Sequence, residues 1–351
     1  WLIGGRVIQM LLSLFVGVLT ARYLGPDNYG LINYGAAYVS FFTALCTLGL
    51  NAVIIKDFVD RPEEQGKAIG SALLMRLASS VLSAILIVAI VLVIDKDEPT
   101  TIAVVALCSL GSVFHIFETF NYWFQSRYQS KITSLATLFA YVVTAAYKIV
   151  LLVLKKSVYW FAFSTSVDYI VVAVFLWIAY RKYAGPKLSF SFAKSKALLS
   201  LSYHYILSTI MVAVYGQTDK LMLKQMLNES EVGFYATATA ICKMWTFVLQ
   251  AIIDSIYPSI LRLKNVDQAA YERKNRQLYA IVFYVSCLVS GVFLIFGGLI
   301  VWILYGEAYL PAIPVLKVVT WYTAFSYLGV ARNAWLVSEG KQKYLKYMYI
   351  N

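Results

Sequence analysis

Eight cations stand inside stretches of apolar sequence: Arg6, Arg76, Lys148, Lys220, Lys224, Lys243, Lys317 and Arg332. Four acids share that setting, Glu118, Asp168, Asp219 and Asp254, as do the chain's two histidines, His115 and His204. A charge at the bilayer centre costs on the order of 3 kcal/mol or more, so such side chains face a bundle interior or a wet cavity. Eight cations against four acids leave a positive excess. The chemistry that suits a basic cavity is recognition of an anion. A phosphate or pyrophosphate offers several acceptor oxygens to Lys and, bidentately, to Arg. A passage for organic cations would carry the opposite sign.

Other chemistry is poorly served. The sequence holds no nucleophile elbow, phosphate loop, zinc-ligand spacing or paired loop carboxylates, so no enzyme, cofactor or metal centre is expected. Cys46, Cys108, Cys242 and Cys287 lie in apolar runs without paired spacing and read as small core residues. His115 and Glu118, three apart, share a helix face, as either a proton relay or a polar contact.

The elements that must position these charges follow from composition. Of 351 residues, 60% are hydrophobic and only 14% charged, and the mean hydropathy is +0.70. A soluble domain is nearer half apolar and a quarter charged. The apolar runs reach the length of about 20 residues that crosses a bilayer as helix, which predicts an all-α polytopic membrane protein. Spans are expected near 1–21, 31–55, 68–94, 100–125, 132–154, 157–180, 198–227, 232–257, 277–304 and 312–338. An eleventh span is expected to start at Tyr349-Ile350-Asn351, and the chain reads as a piece of a longer protein. The aromatic content of 16% suits interfacial belts and a large amphipathic cavity.

Alternate loops differ in charge. One set, from Lys56, Arg61 and Lys67 through 181–197 and 262–276 to Lys341, Lys343 and Lys346, holds 18 Lys and Arg, and the other holds 4. The positive-inside rule assigns the basic set to the cytoplasm, and with it the N-terminus. The net charge of +12 therefore reflects topology and needs no nucleic acid. Within this frame Arg76 lies about 12 Å from the cytoplasmic end of its span, at 1.5 Å per residue. Arg6 is also in the inner half, and Lys243 and Asp168 are near mid-span. Arg6, Arg76 and Lys243 either line a cavity or pair with Asp168 or Glu118. Lys148 lies six residues from the outer end of its span. Lys224, Lys317 and Arg332 are near enough to span ends to snorkel. Asp219 and Lys220 are neighbours and point apart on a helix, toward the groove or the lobe packing. Coupling could come from the membrane potential or from proton or sodium binding at Asp168, and the sequence does not choose.

An internal repeat is legible. Gly30, after the turn Gly25-Pro26-Asp27-Asn28, and Gly233, after Asn228-Glu229-Ser230-Glu231, both open a helix and are 203 residues apart. Trp123, Ser126 and Lys131 match Trp335, Ser338 and Lys343 at a shift of 212. Two halves of six spans in one orientation would be related by an axis along the membrane normal, with a site between them. The expected division is 1–180, a basic cytoplasmic linker over 181–197 lying on anionic headgroups, and an incomplete second lobe over 198–351.

Gly4-Gly5-Arg6 followed by Ala21-Arg22-Tyr23-Leu24-Gly25-Pro26-Asp27-Asn28-Tyr29-Gly30 resembles the polysaccharide transport family. That family holds the O-antigen and capsule repeat-unit flippases of the multidrug/oligosaccharidyl-lipid/polysaccharide exporter superfamily. Gln217-Thr218-Asp219-Lys220 and Val232-Gly233-Phe234-Tyr235 are similar to its seventh and eighth spans. The resemblance implies two lobes around a central V-shaped basic cavity in the bacterial cytoplasmic membrane. It implies translocation of an undecaprenyl-pyrophosphate-linked oligosaccharide to the outer leaflet, with membrane lipids, a polymerase and other glycan-assembly proteins as partners. Family members have more spans than this chain holds. Alternatives are a lipid II flippase or multidrug antiporter of the same fold, a membrane-embedded polymerase or glycosyltransferase, and a non-transporting scaffold. The positive excess disfavours the drug exporter, the short outer loops the enzyme, and unpaired mid-span cations the scaffold.

Overall fold

A computed structural model describes residues 2–264 and 266–339. Among them the regular structure is helical. The long helices are α1 (Leu2–Thr47), α3 (Gln65–Ile94), α6 (Ser130–Val153), α7 (Val158–Lys182), α8 (Phe192–Met226), α9 (Glu229–Lys264), α10 (Gln268–Tyr305) and α11 (Ala312–Ser338). Shorter ones are α2 (Leu50–Asp60), α4 (Pro99–Leu110) and α5 (Glu118–Ser126). Among the described residues eight helical stretches, from Pro62–Ile94 to Ala312–Asn333, are long and apolar enough to cross a membrane. α1 stands where the sequence places the first two spans, as one 46-residue helix broken at Gly25. This is an all-α, multi-pass membrane protein.

The connections differ from expectation in three places, each with a local cause. The loop expected at Gly25–Asn28 is a single-residue kink. Gly25 takes φ 72°, which costs no Cβ clash, and Pro26, lacking an N–H, restarts the helix where no donor is required. The span expected over 31–55 stops at Thr47. Leu48 and Gly49 adopt positive φ, and α2 then begins a separate short helix. The span over 100–125 is interrupted by a 3-10 segment, Gly111–Phe117, between α4 and α5. Such a tightened stretch inside a membrane helix re-aims the side chains that follow it.

By packing, the chain divides into two compact units, residues 1–233 and 234–351. In the first, α8 packs along α1, and α6 and α7 form an antiparallel pair against α1 and α4. One buried cluster joins Leu50, Phe58, Phe120, Trp123, Phe124 and Tyr180, and another joins Tyr34, Phe42, Ile87, Val91 and Val232. In the second unit α10 and α11 pack together, with Leu249, Tyr271, Leu278 and Val282 in the core and Ser290 within 3.2 Å of Thr320.

Within the first unit the turn before α9 sits on the α1 kink. A methyl group at Gly30 would meet the Glu229 carbonyl and lie 3.0 Å from the Gly233 nitrogen, and one at Gly233 would meet the Pro26 carbonyl. The Ser230 hydroxyl donates to Asp27. Asp27 and Ser230, like Gly30 and Gly233, are 203 residues apart. Asp27 and Gly30 of α1 thus meet Ser230 and Gly233, the positions that stand 203 residues further along the sequence.

Candidate functional site

The charged residues of the first unit fall into three settings. The first is a cavity of about 210 Å³ between α1, α6 and α7. Tyr141, Thr144, Ala145 and Lys148 recur at helical spacing, so α6 presents them on one face. Across from them α7 supplies Ser164, Thr165 and Asp168, and α1 supplies Ser13 and Gly17. The Thr144 hydroxyl donates to Asp168 Oδ1 at 3.3 Å. Lys148 and Asp168 line the same cavity, and among the described residues no carboxylate oxygen lies within 4 Å of Lys148 Nζ. A cation and an acid thus share a polar membrane pocket without cancelling by contact.

The second setting corrects the reading of Arg76 as a cavity cation. Its side chain is 1% exposed. Nη2 lies 3.2 Å from Glu118 Oε2, Nη1 donates to Thr119 Oγ1 at 3.2 Å, and the guanidinium stands 5.8 Å from the Tyr122 ring. Of the two roles open to Arg76, the ion pair is the one formed. The reason is the 3-10 segment, which delivers Glu118 and Thr119 to α3 at a depth the Arg reaches. His115 Nδ1 is 3.4 Å from Glu118 Oε1 in charge-contact distance but without hydrogen-bond geometry, and both ring nitrogens lack a hydrogen-bond partner. The ring lies 4.2 Å from that of Tyr169. His115 and Glu118 do share a face, as their spacing predicts.

The third setting was not foreseen. Lys224, expected to snorkel, is buried, with Nζ 2.7 and 2.8 Å from the two Glu98 oxygens, 3.9 Å from Asp95 and 3.8 Å from Glu229. Asp95 accepts from Tyr34 at 2.9 Å and from Gln225 at 2.8 Å. Burial pushes the Glu98 carboxyl up, but hydrogen bonds from Lys224 and Thr101 and the Lys224 charge outweigh it and leave its pKa below the ordinary value. This nest ties the end of α8 to α1 and to the turn between α3 and α4. Its sequence signal was the acid-rich stretch Asp95-Lys96-Asp97-Glu98.

The remaining predicted residues are placed as follows. Asp219 and Lys220 are half-buried on α8, where the Asp219 carboxylate accepts from the Lys220 backbone N–H at 2.8 Å. Lys243 is exposed on α9 in the second unit. The Arg6 side chain, and Lys341 and Lys343, lie outside the described residues. Tyr141, Thr144, Ser164 and Thr165, which build the cavity, were not singled out from sequence. Their signal was polar residues at helical spacing beside Lys148 and Asp168.

A family profile described as "Polysaccharide biosynthesis protein" matches residues 19–314. The chain belongs to the polysaccharide biosynthesis protein family. Comparison with curated proteins returned no match. Among solved structures, this family member is similar to the inward-facing conformation of a multidrug resistance MATE family transporter of the MOP superfamily, with a TM-score of 0.68, 14% identity and coverage of 95% of this chain and 82% of that one. A MATE transporter in complex with MaL6 gives 0.63 at 14% identity, covering 99% and 82%. The outward-facing conformation of a multidrug resistance MATE family transporter gives 0.58 at 14%, also covering 99% and 82%. At such identities the likeness shows the fold. The fold of this polysaccharide biosynthesis family member is therefore similar to that of these MATE transporters.

Proposed function

We propose that this protein is a flippase that moves undecaprenyl-pyrophosphate-linked oligosaccharide repeat units from the cytoplasmic to the outer leaflet of a bacterial inner membrane. The observation that carries the reading is the family match over residues 19–314 on a superfamily-transporter fold. Polysaccharide assembly requires a hydrophilic glycan to cross the bilayer, and a transporter in that family supplies the crossing. Export of O-antigen, capsule or exopolysaccharide precursors, with a polymerase downstream, follows from that role.

The charge pattern supports an anionic headgroup. Among the described residues Lys148 is a membrane cation with no carboxylate within ion-pair distance, and Lys243 is exposed on its helix. With Arg6 they remain the proposed phosphate-binding cations, while Arg76 is assigned to holding α3 against α5. Asp168 is the proposed coupling residue. Protonating it removes a negative charge from the cavity it shares with Lys148, so the cavity becomes net positive and favours the pyrophosphate. Deprotonation restores the balance and favours release. Asp219 and Lys220, half-buried on α8, are proposed as further candidates for ion coupling.

The test is accumulation of substrate. A strain lacking the protein should build up lipid-linked repeat units that are inaccessible from outside the membrane, and reintroducing the chain in its full natural context should clear them. Lys148→Met and Asp168→Asn should fail to clear them at normal protein levels. Normal glycan export without the protein, or a changed drug sensitivity with unchanged glycan export, would overturn the reading.

A further inference from the structure

A second cavity in the first unit lies apart from the charged sites. It is an apolar groove of about 560 Å³, within the size range of small-molecule sites. Leu73 and Leu77 of α3, Phe117 of the 3-10 segment and Trp177 of α7 form its walls. Its remaining side is an extended strap that carries Leu188 and Phe190. The strap is held on α3 by backbone. The Ser189 N–H donates to the Gly66 carbonyl at 3.1 Å, and the Ser191 N–H donates to Ser71 Oγ at 3.0 Å. The Ser71 hydroxyl donates in turn to the Ser191 carbonyl at 3.2 Å. A methyl group at Gly66 or Gly70 would collide with the Lys187 or Ser189 carbonyl, so the spacing of these two glycines lets the strap lie flat.

Three cations flank the segments that line the groove. Lys67 follows Gly66, Lys187 precedes Leu188, and the Arg181 guanidinium stands 5.6 Å from the Trp177 ring. All three cations are exposed. Of the nearby acids, Asp57 and Glu64 bond Lys194 Nζ at 2.9 and 2.8 Å, while Asp60 and Glu63 are exposed. Among the described residues no carboxylate bonds Lys67, Lys187 or Arg181. The cation bias assigns this end to the cytoplasmic leaflet, where anionic headgroups concentrate.

We propose that this groove is a binding site for an anionic phospholipid of the inner leaflet, with one acyl chain between α3, α7 and the strap and the phosphate on Lys67, Lys187 and Arg181. A groove that opens at membrane depth takes up hydrocarbon, and apolar walls alone would not choose among lipids. The three cations supply the choice, because each adds a charge contact near the surface. The bound chain packs on Leu188 and Phe190 and holds the strap to α3, so lipid composition regulates the posture of the segment that leads into α8. This inference rests on the membrane reading and is independent of the glycan substrate.

Native mass spectrometry of the detergent-purified protein tests it, with added phosphatidylglycerol, phosphatidylcholine or undecaprenyl phosphate. Phosphatidylglycerol should be retained at least tenfold better than phosphatidylcholine. Val174→Trp, which fills the groove from an exposed wall position, should abolish that retention. The double change Lys67→Gln with Lys187→Gln should equalise the two phospholipids while leaving acyl-chain binding. Hydrogen exchange at Ser189 and Ser191 should slow on adding phosphatidylglycerol, and should not in Val174→Trp. Equal retention of both phospholipids by the native chain, full retention by Val174→Trp, or preferential capture of undecaprenyl phosphate would each overturn the proposal.

Discussion

Replacing Lys224 with Met should destabilise the protein by removing the cation at the centre of the nest that joins α8 to α1. The side chains of Lys224 and Asp95 are 5% and 3% exposed, whereas that of Glu98 is 46% exposed and that of Glu229 36%. Methionine keeps the length of the stem, so packing is conserved and the change is electrostatic. Glu98 and Glu229 regain water, and each loses about 0.5–1 kcal/mol at most. Asp95 does not regain water. Breaking a buried pair costs about 3–5 kcal/mol, and at 3.9 Å from Nζ, with Tyr34 and Gln225 still donating, Asp95 belongs at the lower end of that range. With up to about 2 kcal/mol from the two glutamates, a total of about 3–5 kcal/mol lowers the unfolding midpoint by about 5 °C or more. The assay is the temperature at which half the detergent-solubilised protein survives on size exclusion. Lys224→Arg should keep most of the stability. Lys224→Met with Asp95→Asn should regain most of what Lys224→Met alone loses, because the stranded charge is then gone. A midpoint for Lys224→Met within 1 °C of the native protein, or no recovery in the double variant, would refute the argument.

The same nest predicts an acid limb. The folded state lowers the Glu98 pKa, so its contribution is fully present at neutral pH and is lost as pH falls through that lowered value, which melting curves between pH 7 and pH 3 will show as a loss absent in Glu98→Gln. Gly233→Ala places a methyl group on the Pro26 carbonyl and should cost about 1–3 kcal/mol, measured by thermal survival, while Gly216→Ala, in open helix, should gain up to about 1 kcal/mol. Arg76→Met should reduce protein yield and melting temperature together, whereas Lys148→Met should leave both unchanged. In a background without Cys46, Cys108, Cys242 and Cys287, Asn228→Cys should react with an impermeant thiol reagent added outside and Lys187→Cys should not, both positions being exposed.

Membrane class, helical content and the approximate positions of the eight spans from residue 62 onward were legible in the sequence, because hydropathy adds along a local window and needs no knowledge of neighbours. So was the alternation of basic loops, which is a count. The kink at Gly25-Pro26 was marked by residue types whose backbone preferences are their own, although the sequence suggested a loop there. Lys148 and Asp168 were identifiable as charges inside apolar runs, and His115 and Glu118 as residues on one face. Tertiary structure decided what each charge meets. Arg76 and Glu118 are 42 residues apart, and their pairing depends on the 3-10 segment that turns Glu118 toward α3. Lys224 meets Glu98, 126 residues away, only because α8 packs against α1 beside the α3–α4 turn. The Lys148 cavity takes side chains from three helices. Apolar periodicity says that a helix is buried in lipid and protein. Which side of it finds a partner is fixed by helix rotation and by contacts between distant segments, and a single sequence records neither.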